Sequence, residues 1–207
     1  MAYTFGKKYM ILSQFRSAGL VLMLCAIPAF AGSQYTRMVE SKPVVENGLE
    51  FVASVDDEWV CYNPPLGRDP IQVQLFIRNV TDKPLIFSTF DTFGIEIKEQ
   101  SGKYIHVGGG RAGTLRTKSV IIDPGARYCL SRKAELVWNA DGKSRTFIYY
   151  DGTGTEATYG PLAAGSYALS FYCRNEEKTH PKNDDANFSR WTGNTKTKEV
   201  TFKIIDP

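Results

Sequence analysis

In IQVQLFIRN, from Ile71, the apolar residues Ile71, Val73, Leu75 and Ile77 lie on one face, with Gln72, Gln74 and Arg78 largely on the other. A period of two belongs to a strand with one face in a core and the other in solvent. SYALSFYCR repeats the pattern with Tyr167, Leu169, Phe171 and Cys173, and EVTFKII repeats it with Val200, Phe202 and Ile204. Further strands are read in LEFVASV from Leu49, PLIFS from Pro84, FGIEIKE from Phe93, KYIHV from Lys103, SVIID from Ser119, RYCLSRKAELVW from Arg127 and RTFIYY from Arg145. NVTDKP, EQSGK, DPGA, NADGK and LAAGS separate them, with Gly, Pro, Asn or Asp where turns need unusual backbone angles. No segment sustains a helical period, so the pattern predicts an all-β chain, an immunoglobulin-like antiparallel β-sandwich.

The N-terminal segment breaks this pattern. Lys7, Lys8 and Arg16 precede an apolar run from Ala18 to Ile27, and Ala29 and Ala31 follow as small residues. Residues 1–31 therefore read as a secretory signal peptide cut before Gly32. The run is about half of the roughly 20 residues that a spanning helix needs. Leu22, Met23 and Leu24 are too bulky for a lipid-attachment signal at Cys25. The expected mature chain is secreted or periplasmic, with no membrane attachment after signal removal. Residues 32–48 are polar and without period and read as a flexible linker, and 49–207 as the sandwich domain.

Charge changes the picture once the signal is removed. Its three charged residues are all basic, so the 25 Lys and Arg of the whole chain fall to equality with the 22 Asp and Glu. A neutral mature chain gives no basis for a nucleic-acid partner. Cys61, Cys129 and Cys173 remain, and an oxidising compartment predicts one disulfide and one free thiol.

The succession QVQLFIRNVTDKPLIF, DTFGIEI, QSGKYI, VIIDPGARYCL, PLAAGSYALSFYCRN and EVTFKI resembles a group of exported bacterial immunoglobulin-like proteins of unassigned function. It is more distantly similar to the bacterial intracellular proteinase inhibitor domain. The resemblance covers Leu49 to Asp206 and rests mostly on turn residues; Trp138 to Gly160 looks like an insertion. It implies the sandwich fold and assigns no active residues. YNPPLG from Tyr62, the glycine loop and the Arg190-Trp191 pair also follow the order of the binding loops in chagasin-type cysteine-protease inhibitors. That family has Thr-Thr where Pro65-Leu66 stand here and Arg-Pro-Trp in its third motif.

Candidate chemistry is confined to loops. VGGGRAGTLRTK, from Val107, places three glycines before Arg111, Thr114, Arg116, Thr117 and Lys118. A phosphate loop needs lysine directly after the last glycine and then a helix, and neither is present. One reading is a glycine-rich turn; the other is a recognition loop whose arginines and threonines hold a carboxylate or sulfated group. The long stretch from Arg174 to Asn194 carries Arg190 and Trp191, readable as a ligand platform or as a plug closing the sandwich. Asp184, Asp185 and Asn187, and separately Asp151, Thr153, Thr155 and Glu156, have calcium-like oxygens without the full loop pattern. His106 and His180 are the only histidines, too few for zinc or a triad, so no metal site and no cofactor are expected.

These observations favour a non-catalytic binding module whose loops meet a protein or glycan ligand in the cell envelope or outside the cell. A protease inhibitor presenting loops to a cleft is the alternative, and an exported hydrolase stands third. No converging acid, base or metal set argues for an enzyme. In an immunoglobulin-like order the strands of Cys129 and Cys173 run oppositely and bring those residues to one end, predicting a Cys129–Cys173 disulfide with Cys61 free. Alternation argues the other way, since Cys129 is out of phase with Leu130, Ala134, Leu136 and Trp138.

Overall fold

The computed structural model describes residues 36–65, 67–90, 92–108, 118–151, 153–176 and 188–207. The signal segment and Arg111, Thr114 and Arg116 lie outside the described residues. Within them the chain is all-β, with no helix, built as a sandwich of antiparallel sheets.

One layer is formed by β3 (Leu49–Asp56), β6 (Val73–Asn79) and β11 (Arg127–Ser131), with β1 (Met38–Glu40) and β2 (Val44–Glu46) together edging β3. The other has β8 (Phe93–Glu99) on one side of β15 (Gly165–Asn175). On its other side run β17 (Gly193–Lys196) and β18 (Val200–Ile205), and β4 (Glu58–Val60) adds to β18 in parallel. Phe51, Leu75 and Ile77 from the first layer and Ile95, Leu169, Phe171 and Phe202 from the second belong to one buried cluster. Leu75, Ile77, Leu169, Phe171 and Phe202 hold the period-two positions that the sequence marks as core.

A third sheet runs β5 (Arg68–Pro70), β12 (Ala134–Trp138), β13 (Arg145–Tyr150), β14 (Glu156–Leu162) and β9 (Val107–Gly108). It contains the stretch that looks like an insertion. A small sheet joins β10 (Ser119–Ile122), β7 (Leu85–Ser88) and β16 (Ser189–Arg190).

Asn79 fastens the two turns between β6 and β7 and between β10 and β11. Its Nδ2 donates to the carbonyls of Lys83 (2.7 Å) and Ile122 (2.8 Å), and its Oδ1 accepts from the amide and hydroxyl of Thr81. Wholly buried, it satisfies backbone groups that would otherwise be stranded.

Several expectations are corrected. The segment read as a flexible linker, 32–48, contains β1 and β2, both paired with β3. Where they part, the Ser41 hydroxyl accepts the Ala53 amide at 3.0 Å, so the edge stays bonded through a sequence with no visible period. RYCLSRKAELVW is two strands: the chain leaves β6 after Ser131 and joins β5 and β13 from Ala134. KYIHV contributes only a bridge from Tyr104 to Lys98 before β9 begins.

The Cys129–Cys173 disulfide is also corrected: Cys61, Cys129 and Cys173 are all free. Leu130 points into the core, which turns Cys129 outward, while Cys173 is wholly buried in the opposite layer. The phase of Cys129, rather than strand direction, was the deciding signal.

Candidate functional site

The outer face of the β8–β15–β18–β4 sheet carries a groove of about 590 Å3. Cross-strand register builds it. Tyr104, Lys98, Ala168 and Thr201 are successive partners across the sheet, and Ser166, Lys203 and Glu58 form the next row. Directly opposed residues share a face, and the burial of Tyr167 and Leu169 inward places Ser166 and Ala168 on the outer one. Small side chains of the central strand thus make the floor, and long charged ones rise from the neighbouring strands.

The rim is charged. Glu199 and Glu58 stand beside Lys98 and Lys203, whereas Glu99, register partner of the buried Tyr167, lies in the inward phase and accepts from the Ser101 hydroxyl. Lys98 Nζ lies 2.6 Å from Glu199 and 4.7 Å from the Tyr104 ring centroid. The Glu199 hydrogen bond, then that of Tyr104, holds the Lys98 pKa above the usual lysine value against partial desolvation. Lys196, paired with Glu96, lies 5.6 Å from the same ring, so Tyr104 stands exposed between two anchored ammonium groups. Further along, the Tyr172 ring crosses Gly94, where a Cβ would fall 2.1 Å from its hydroxyl.

A second exposed feature is the loop from Cys61 to Gly67. Its neck is pinched: Trp138 Nε1 donates to the Cys61 carbonyl (2.8 Å), Asp69 accepts the Tyr62 amide (2.7 Å), and Cys61 Sγ donates to the Gly67 carbonyl (3.3 Å). Tyr62, Asn63, Pro64 and Pro65 are exposed beyond it.

The sequence-derived site residues do not assemble into a described site. Arg111, Thr114 and Arg116 fall outside the described residues. Arg190 is partly buried in β16, beside β7. Trp191 is 1% exposed, packs against Phe51 (5.2 Å) and Phe87 (5.5 Å), and donates its Nε1 to the Glu46 carbonyl. The platform expectation for Trp191 is therefore corrected in favour of the core plug, because its ring edges are occupied by the chain itself. Asp151 is taken up by its own turn, accepting from the amides of Thr153 and Thr155, and Asp184, Asp185 and Asn187 lie outside the described residues. Among the described residues no group of three or more His, Cys, Asp or Glu side chains is placed to hold a metal ion.

No protein-family model matches the chain, and no curated protein matches it. Solved structures do. The copper-reconstituted P19 protein from Campylobacter jejuni is 16% identical, over 83% of this chain and 99% of its own, with a TM-score of 0.33. FetP of uropathogenic Escherichia coli strain F11, as isolated, is 13% identical over 81% of this chain and 95% of its own, with a TM-score of 0.32. A copper-bound variant of that FetP is 11% identical over 82% and 93%, with the same score. Likeness at this level carries neither copper nor compartment across to this protein, and none of the three is described as a proteinase inhibitor.

Sequence reasoning missed the groove. Its one signal was the outward positions of SYALSFYCR, where Ser166, Ala168 and Ser170 are all small beside the charged outward positions of FGIEIKE. That β8 and β18 flank β15 was not readable from either stretch alone.

Proposed function

We propose that the protein is an exported, non-catalytic binding module that seats its partner in the groove along β15. The groove itself carries this reading: a small-residue floor on a rigid central strand, walled by charged side chains, is a preformed concave site. Export is supported by the N-terminal segment ending at Ala31. The partner is a protein or glycan of the envelope or the exterior.

Photo-crosslinking tests the reading. A benzophenone amino acid in place of Thr201, in the groove, is expected to give an adduct in the producing cells. The same group in place of Ile121, exposed on β10, is not. Adducts from neither position, or equally from both, would overturn it.

A second reading, a protease inhibitor, is favoured by the loop from Tyr62 to Pro65. Its pinned neck keeps the exposed tip preorganised, which lowers the entropy lost on entering a cleft. The purified protein assayed against serine and cysteine peptidases tests it: inhibition lost on Tyr62→Ala supports this reading, and no inhibition removes it.

A further inference from the structure

Two buried polar groups, where the chain passes from the first layer into the third sheet, have no partner among the described residues. The Tyr149 side chain is 1% exposed, yet its hydroxyl makes no hydrogen bond. Arg132 is partly buried, and its Nε, fully enclosed, makes none either. Leaving such groups unsatisfied costs stability, most of all where one carries a charge.

Both point to one place. Arg132 falls in the inward phase between the buried Leu130 and Ala134, and Ala134 is the register partner of Tyr149. Arg132 is thus the diagonal neighbour of Tyr149 on one face, within reach of a long side chain, and the small Ala134 puts no bulk between them. The Arg132 guanidinium lies 5.7 Å from the Phe93 ring, and Phe93 is the register partner of Cys173. The Tyr149 ring meets Phe171 edge-on at 6.3 Å, two residues before Cys173 on the same inward face. Burial above all keeps the Tyr149 phenol protonated, with the nearby Arg132 charge acting against it. Two donors therefore face the space beside Cys173.

What matches them is an acceptor with negative charge. Arg132 Nη2 donates to the Thr89 carbonyl at 3.2 Å, but among the described residues no carboxylate pairs with this guanidinium. Glu135 is held by Arg68 and Lys133, and Asp151 by the turn at Thr153 and Thr155. A water accepting from both donors leaves the charge uncompensated, whereas an anion accepts from both and neutralises it.

We infer that Arg132 Nε and the Tyr149 hydroxyl hold between them a small monovalent anion of halide size. The ion ties the Arg132 junction and the Thr89 loop to β13, so it joins the third sheet to the sandwich.

The purified protein is melted in sodium chloride and in sodium gluconate of equal ionic strength, gluconate being too large for the site. Chloride is expected to raise the melting temperature by several degrees, as a ligand bound only by the folded state does, and the protein to broaden the chloride NMR line. Tyr149→Phe should lose both effects yet melt no lower than the parent in gluconate, because it removes a hydroxyl that has no protein partner. Arg132→Gln should lose them as well, and Lys133→Gln, a change of a neighbouring exposed charge, should keep them. A bromide-soaked crystal should show anomalous density between Arg132 Nε and Tyr149 Oη. An unbroadened chloride line, or an undiminished chloride response in Tyr149→Phe, overturns the inference. Density at that point without a bromide signal does so too, since it assigns a water.

Discussion

The guanidinium of Arg145 sits 3.9 Å from the ring centroid of Trp138, wholly buried, with Asp206 as its ion-pair partner. Burying a charge is tolerable only when it is paired, and here the stacked indole adds a cation–π contact. Arg145→Ala should lower stability by about 3 kcal/mol, from lost packing and an unfilled cavity. Asp206→Asn should cost less, about 1 kcal/mol, because that carboxylate is largely exposed and screened. Urea denaturation of both variants checks the order.

Trp191→Ala should destabilise by about 3–5 kcal/mol, the usual cost of deleting a large buried aromatic. The Nε1 bond to Glu46 ties β2 to the core, so exchange of the β2 amides should quicken in the same variant. A melting temperature unchanged within a degree or two would return Trp191 to the surface.

Two glycines separate a rigid neighbour from a yielding one. A Cβ at Gly67 would lie 1.5 Å from the Tyr62 carbonyl oxygen, which is backbone, whereas at Gly94 it meets the tip of the half-exposed Tyr172 side chain. Gly67→Ala should therefore open the neck of the loop and cost several times more stability than Gly94→Ala. The latter should act chiefly by swinging the tyrosine outward, visible in its NMR shifts.

The thiols differ in access. Iodoacetamide should label Cys129 alone in the native protein and all three cysteines after unfolding, with mass spectrometry counting the adducts. Burial, and then the Asp69 carboxylate, pushes the Cys61 thiol up to about 11. The folded state thus holds that proton more tightly than the unfolded chain, whose thiol titrates near 9. Stability from this group is complete below that value and falls as pH rises toward 11. Cys61→Ala should flatten this part of the pH profile in denaturation measurements.

The strands of the two main layers were legible because each half-buried strand writes its own alternation, as Val73, Leu75 and Ile77 do. What was not legible depends on partners. The edge strand around Ser41 is held by hydrogen bonds to β3, which leave no hydrophobic period. The break at Arg132 and Lys133 is a change of sheet, invisible while Leu130, Ala134 and Leu136 keep one phase. The groove arises only when β8, β15 and β18 are set side by side, so its residues look like ordinary solvent-facing positions one strand at a time.

Trp59 of β4 stacks on Phe202 of β18, ring centroids 3.8 Å apart, and β4 and β18 pair in parallel. This contact joins a strand near the start of the fold to its last strand. Such a closure loses loop entropy over nearly the whole domain before any burial compensates, and topologies rich in non-local pairings fold slowly. Until β18 arrives, one edge of β15 is open along Gly165 to Leu169 and the Trp59 indole lacks its stacked Phe202 partner. The chain therefore passes through a long sticky interval, and its escape from aggregation depends on keeping that unfinished sheet shielded until the final strand docks.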